Sequence, residues 1–403
     1  FPGYIQDFRF YKGVAKYTSN FVPASTNPDI LPDTPSGVSG SSKLTKIIDG
    51  AVSFDGSGDS LSVTGSSDVQ FGTGIFTAEC FVYADGYPGS GVYGIFDTGT
   101  AVNGNRFSMV LYPSGLISID SNINLLQSSS AIRSNAWNHV AFVREGTGSN
   151  EAKLYINGVL SNQATISTDF NNDDLLIGKT IDNYSWKGQI SNVRIVKGTA
   201  VYTSNFNPPT EPLTNVTNTK LLCCQSNTSA GAAVVSPNIT GAGTTNSGVV
   251  WSDNTTGTIF ANRPKENLFD GDTSTSMAPG TSGVAGISNV TLTIPGGLSN
   301  VTSVRVYVDE NQANQSPSVT LNSDSAQSIS DSAQWVTLTA PSGGTLNTVK
   351  FTGNATSASN NLVEFNAFEV NGVILTDPVK RVGDAAATNF NPFNTSINTV
   401  RGQ

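Results

Sequence analysis

Residues 137–163 read WNHVAFVREGTGSNEAKLYINGVLSNQ. Two runs within this stretch, NHVAFVRE (138–145) and KLYINGVLSNQ (153–163), read as strands separated by turn residues. Asn157-Gly158 sits between Leu154-Tyr155-Ile156 and Val159-Leu160. Asn-Gly tolerates positive φ at both turn positions, so the pair predicts a tight hairpin. In the first run Val140 and Phe142 share one face, and His139, Ala141 and Val143 share the other. Both faces are largely apolar, which predicts a sheet covered on both sides.

Working outward, runs of the same kind recur at short spacing: AVSFDGSGDSLSV (51–63), FTAECFVYA (76–84), RFSMVLY (106–112) and LISID (116–120). The texture changes after Cys223-Cys224. Residues 226–248 are small and polar and read as a linker or an extended first strand. New strand candidates follow, among them VTLTIP (290–295), SVRVYVD (303–309), QWVTLTA (334–340) and LVEFNAFEVNGVIL (362–375). In SVRVYVD, Val304, Val306 and Val308 alternate with Arg305, Tyr307 and Asp309, a clean period of two. Residues 377–403 lose this patterning and are expected to be a connector toward a further module. The fold class predicted is all-β: tandem antiparallel β-sandwiches over 43–225 and 249–376.

One stretch occurs twice. Gly3 to Pro23 (GYIQDFRFYKGVAKYTSNFVP) and Gly188 to Pro208 (GQISNVRIVKGTAVYTSNFNP) are identical at 12 of 21 positions, without a gap. Residues 1–35 are therefore expected to be the closing strand and turn of a preceding copy, and the chain to be a window on a longer modular protein. In the complete copy Ile190, Val193 and Ile195 are expected to face the core.

Composition narrows the function classes. The 403 residues carry a net charge of −9, with 21 Lys and Arg and one His. Neutralising a nucleic-acid backbone needs clustered cations, and these form no stripe, so no nucleic-acid partner is expected. Charged residues make up 13% and there are 40 Gly, a mix suited to sheets and turns. The three cysteines, Cys80 and the adjacent Cys223 and Cys224, do not make a disulfide framework, which favours folding in a reducing cytoplasm. No apolar run approaches the ~20 residues of a membrane helix.

Residues 50–225 resemble the laminin-G-like, concanavalin A-like jelly rolls. The resemblance is carried by Ala51-Val52-Ser53-Phe54-Asp55-Gly56 with Asp59, by Trp137 to Arg144, by Lys153 to Gly158, and by Trp186-Lys187-Gly188-Gln189-Ile190 leading into Val193-Arg194-Ile195. The ending from Lys197 to Phe206, repeated from Lys12 to Phe21, is similar to that in structural proteins of marine tailed phages. Residues 249–376 resemble the galactose-binding-like, discoidin-type sandwiches through Asn267 to Thr275 and the run Phe365 to Gly372. Met277 and Ala367 depart from that pattern, where an aromatic and a metal-binding Glu often stand. The resemblance thus implies the fold more than any bound calcium.

Jelly rolls of this kind also house glucan hydrolases, which need a paired acid and nucleophile about 5–5.5 Å apart. None of the eight Glu begins a Glu-x-Asp-x-x-Glu run, and His139 lies mid-strand among apolar residues, so no enzyme is expected. Exposed aromatics that stack on sugar rings are the alternative chemistry. Tyr87 and Tyr93 in DGYPGSGVYG and Tyr184 in DNYSW are the candidate glycan-binding residues, while Trp137 and Trp186 are expected in the core. For a metal, Asp270, Asp272 and Thr275 form an oxygen cluster suited to calcium, and Asp55 and Asp59 form a second. For the second, a tight turn held by side-chain hydrogen bonds is the competing reading.

The function expected is non-enzymatic: a virion structural protein, a tail fibre or appendage that attaches to host-surface glycan. Its partners are copies of itself and other virion proteins. No cofactor is expected beyond Ca2+. A capsid decoration protein, a bacterial surface adhesin and a glycan hydrolase are the alternatives.

Overall fold

The computed structural model describes residues 50–99, 105–237, 249–281, 284–310, 317–329, 333–355 and 362–393. The front copy at 3–23 and residues 238–248 of the linker expected at 226–248 lie outside them.

The first sandwich pairs a nine-stranded and a seven-stranded antiparallel sheet. The larger runs from Val159–Ala164 through Ala152–Ile156, Trp137–Arg144, Phe76–Ala84 and Lys187–Lys197 to Ala51–Asp55 and finally Ala386–Thr388. Thr219–Cys223 and Ala233–Val235 extend it beside Lys187–Lys197. The smaller runs from Lys380–Val382 through Ser60–Val63, Leu175–Ile177, Tyr93–Asp97, Ser108–Leu111 and Ile117–Asp120 to Asn124–Gln127.

The strand faces follow the alternation in the sequence. Val140 and Phe142 join the interior core, while Ala141 and Val143 lie on the outer face with Tyr155. That outer face is covered by Tyr202 and Phe206, whose rings stack at 3.6 Å. These two residues belong to the duplicated motif, so the motif is the strap that closes the sheet. Asn157 and Gly158 both take positive φ, 50° and 77°, and make the hairpin turn between paired Ile156 and Val159. Ile190, Val193 and Ile195 all reach the core although their spacing is not even. A bulge between Ser191 and Arg194, with Asn192 at φ 53°, resets the register.

Arg144 ends its strand inside the barrel of rings formed by Phe76 and Phe170, 5.0 and 4.9 Å from their centroids. Its guanidinium donates to the carbonyls of Gly74, Thr168 and Gly72. Burial pushes its pKa down to about 10. Trp186 is fully buried in the core. Trp137 is not: it lies half-buried on the outer face, beside Tyr83 and beneath Phe390. Its position at the first residue of the strand puts it on the His139 side of the alternation, not the Val140 side.

The second sandwich pairs a five-stranded sheet, built on Gly286–Ser299 and Thr345–Ala355, with a four-stranded sheet built on Val304–Glu310 and Val363–Val370. Val304, Val306 and Val308 face its core, as their alternation requires. Outside, Arg305 stacks over Trp335 at 4.8 Å and pairs with Glu369.

The stretch 377–403 differs from a connector over its described part. Lys380–Val382 pairs with Ser60–Val63, and Ala386–Thr388 pairs with Ala51–Asp55, so one short segment supplies an edge to each sheet of the first sandwich. Asp59 holds the turn between them by accepting the Asp384 N–H at 2.7 Å. Phe390 then packs on Tyr83, and Phe393 on Phe81. The second sandwich is thereby inserted within the first. The linker likewise contributes a strand, Ala233–Val235. Segments of three residues with Gly on one side carry too little periodicity to be read as strands.

Asp377 closes the inserted sandwich. Its Oδ1 accepts the N–H groups of Trp251 and Ser252 at 2.6 and 3.2 Å, and its Oδ2 has no hydrogen-bond partner. Burial pushes its pKa up to about 7, against the lowering effect of those hydrogen bonds. Between the ordinary value of 3.8 and about 7, the unfolded chain has lost this proton and the folded chain keeps it. Its contribution to stability therefore falls as pH rises through that window, and is level above it. Asp377→Asn retains an acceptor without the charge. It is expected to be more stable than the parent by about 2 kcal/mol at pH 8 and equal to it near pH 4. Urea unfolding at both pH values measures this, and equal midpoints at pH 8 would refute the assignment.

Candidate functional site

On the strand Ser108–Leu111, Met109 and Leu111 enter the core, so Ser108 and Val110 must face outward. On Ile117–Asp120 the same logic sends Ser118 and Asp120 outward. A loop from Lys179 to Ser185 rises over this face. The loop is stapled by hydrogen bonds from Thr180 N to Tyr184 O and from Asn183 N to Thr180 O, both 3.0 Å. Gly94 lets it approach, because a Cβ there would lie 2.6 Å from the Thr180 nitrogen. The result is a cleft of about 450 Å³, lined by Arg106, Tyr112, Asp120, Asp182 and Tyr184 with Val110 at its floor.

The polar groups are held in a fixed order. Arg106 is 7% exposed and lies between two carboxylates, Asp182 at 2.6 Å and Asp97 at 3.5 Å. Asp97 is fully buried beneath it and accepts the Ile181 N–H at 3.1 Å. Burial pushes the Asp97 pKa up to about 6, although the Arg106 charge opposes the rise. Asp97 Oδ1, Arg106 Nε and Arg106 Nη1 are buried without a hydrogen-bond partner. Asp120 accepts from Ser118 Oγ at 2.5 Å and from the Tyr112 hydroxyl at 3.1 Å. Burial raises its pKa also.

Of the three tyrosines singled out in the sequence, Tyr184 lies in the cleft. It is 44% exposed, and its ring rests on Gly91, where an added Cβ would lie 2.6 Å from Cε1. Gly91 also takes φ 66°, so both its space and its backbone call for glycine. Tyr93 packs inward, edge-on to Trp186 at 6.0 Å. Tyr87 is 38% exposed but outside the cleft, its hydroxyl bound to the Ile132 carbonyl at 2.6 Å. Arg106, Tyr112, Asp120 and Asp182 escaped the sequence reading. For Arg106, Tyr112 and Asp120 the signal was a polar or aromatic residue at alternate positions along a strand or its flanks whose other face is core, whereas Asp182, in the loop, carried none.

The oxygen clusters are occupied from within the chain. Asp270 Oδ2 accepts from Lys380 Nζ at 2.7 Å and from Thr275 Oγ1 at 2.6 Å, and its Oδ1 accepts the Asp272 N–H. The Lys380 ammonium thus pairs with the central carboxylate of that cluster. Asp55 Oδ1 accepts the Ser57 N–H, and Asp59 Oδ2 accepts the Asp55 N–H, which is the turn arrangement. Among the described residues no group of three or more His, Cys, Asp or Glu is placed to hold a metal ion. No described helix is long and apolar enough to cross a membrane.

Residues 55–201 match the Laminin_G_3 family model, whose description is the concanavalin A-like lectin/glucanases superfamily. The matched region lies within the first sandwich and contains the whole cleft. No curated protein matches the chain. Among solved structures the chain is similar to the native heptameric SAP-like pentraxin of Limulus polyphemus, with 18% identity and a TM-score of 0.31, over 39% of this chain and 79% of that one. It is similar to the Ruminococcus gnavus IT-sialidase CBM40 bound to alpha2,3 sialyllactose, with 14% identity and a TM-score of 0.28, over 37% and 92%. It is also similar to domains LG4-5 of the mouse laminin alpha1 chain, with 14% identity and a TM-score of 0.29, over 40% and 47%, so it spans about half of that pair.

Proposed function

We propose that this chain is a glycan-binding, non-catalytic segment of a virion appendage, and that the cleft beside Tyr184 seats the sugar. The observation that carries the reading is the cleft itself. It sets an exposed ring, Tyr184, against fixed hydrogen-bonding groups, Arg106, Asp120 and Asp182. Sugar recognition needs an apolar face to stack on and polar groups to orient hydroxyls. The volume lies within the usual range for small-molecule sites, about 300–1,000 Å³. The superfamily matched by residues 55–201 is described by lectins as well as glucanases. Binding is favoured over hydrolysis because Asp97 is sealed beneath Arg106, and Asp120 is held by two hydroxyl donors. The duplicated 21-residue stretch and its likeness to phage structural modules support an appendage built from repeated units. Repetition of units makes many weak contacts add to a firm attachment to a host surface.

Affinity electrophoresis in gels containing soluble polysaccharides tests the reading. Tyr184→Ala is expected to weaken retardation about tenfold, the worth of one ring against a sugar face. Tyr87→Phe, outside the cleft, is expected to change nothing. Equal retardation of the Tyr184→Ala protein and the parent on every polysaccharide that binds would move the site elsewhere.

A further inference from the structure

The cleft's charges restrict which sugars fit, an inference that rests on the glycan reading above. Arg106 is the single cation among its described lining residues, and Asp120 and Asp182 line it as carboxylates. Arg106 is already engaged: Asp182 lies at 2.6 Å and the buried Asp97 at 3.5 Å. The guanidinium is therefore outnumbered by its own neighbours, and the field that a ligand meets is negative. Placing a further carboxylate or sulfate in a low-dielectric cleft against that excess is strongly unfavourable.

What the cleft still offers a ligand suits a neutral group. The Arg106 side chain is 9% exposed at the cleft wall, with its Nη2 already on Asp182 at 2.6 Å. A hydroxyl oxygen or ring oxygen can accept from the exposed part of the guanidinium without adding charge. The outward carboxylates, Asp120 and Asp182, accept from hydroxyl groups, and they are acceptors only. A ligand that both accepts from Arg106 and donates to the two aspartates is a sugar with neighbouring hydroxyls.

We propose that the cleft selects neutral sugars bearing adjacent hydroxyls and rejects sugars that carry a carboxylate or sulfate.

Matched pairs that differ by one group test this: methyl glucoside against methyl glucuronoside, and methyl galactoside against methyl galacturonoside. Each is titrated into the whole chain at low ionic strength and followed by NMR shifts. Methyl mannoside and methyl N-acetylglucosaminide complete the neutral set. The neutral member of a pair is expected to bind at least tenfold more tightly than its uronoside. Asp182→Asn, at a half-buried loop position, is expected to narrow that ratio severalfold, and so is added salt. If a uronoside binds as well as its neutral partner or better, and Arg106→Gln abolishes it, the charge selection is overturned while the glycan reading stands. If no sugar of either kind shifts any resonance, the glycan reading falls and this inference falls with it.

Discussion

Glu79→Ala is expected to cost the first sandwich about 3–5 kcal/mol, because it leaves a buried cation without its partner. Glu79 is fully buried in the middle of the nine-stranded sheet. Its Oε1 accepts from Arg194 Nε at 2.8 Å, and its Oε2 from the Tyr202 hydroxyl at 2.8 Å, with His139 Nε2 at 3.0 Å. Removing the carboxylate strands Arg194 at 4% exposure and unfastens the strap that Tyr202 anchors. Glu79→Gln should lose nearly as much, since the amide cannot match the Arg194 charge. Burial works to raise the Glu79 pKa, but the hydrogen bonds and charges of His139 and Arg194 outweigh it and hold it below the ordinary 4.5. The stabilisation is thus complete above pH 4.5 and is lost as pH falls through the lowered value. Urea unfolding at pH 7 measures the effect, and a loss under about 1 kcal/mol would show that the network contributes little.

Ending the chain after Pro378 is expected to have a larger effect still, on the order of 5 kcal/mol. The truncation removes an edge strand from each sheet and the rings of Phe390 and Phe393. It also removes Val379 and Ala385, 1% and 0% exposed. Ser60–Val63 and Ala51–Asp55 become open edges, and open edges recruit other chains. Calorimetry should show a lowered melting transition, and light scattering should show self-association. A truncated protein that melts with the parent and stays monodisperse would mean that the segment merely rests on the sandwich.

Much of the first sandwich was legible because its strands are long enough to show which face is core. Val140 and Phe142 against Ala141 and Val143 is the clearest case. The duplicated motif was legible as a repeat, but its purpose was not. Arg194, Tyr202, Asn205 and Phe206 are identical in the two copies, and each meets a partner far away in sequence. Arg194 meets Glu79, Asn205 accepts the Leu160 N–H at 2.7 Å, and the Phe206 N–H reaches the Gly158 carbonyl. Repetition marks such residues without saying what they touch. The cleft was the least legible part. Tyr184 announced itself as an aromatic in a loop, whereas Asp120 at the end of a short strand and Arg106 just ahead of another are ordinary polar residues until the loop at 179–185 is laid over them. The edge strands at 380–388 hid for another reason: their register is set by partners more than 300 positions earlier, not by a period of their own.

The insertion of one sandwich inside another also sets a timetable. Lys380 follows Val235 by 145 residues, all of which must be made before the two missing edges exist. At roughly 5–20 residues per second, the ribosome needs about 7–30 s for that distance. During this interval the first sandwich waits with the outer edges of Ser60–Val63 and Ala51–Asp55 unpaired, while the inserted sandwich emerges complete. Residues 380–388 are thus the first sandwich's finishing pieces, and a nascent chain stalled before Val379 is the form most exposed to miscapture by its neighbours on the same message.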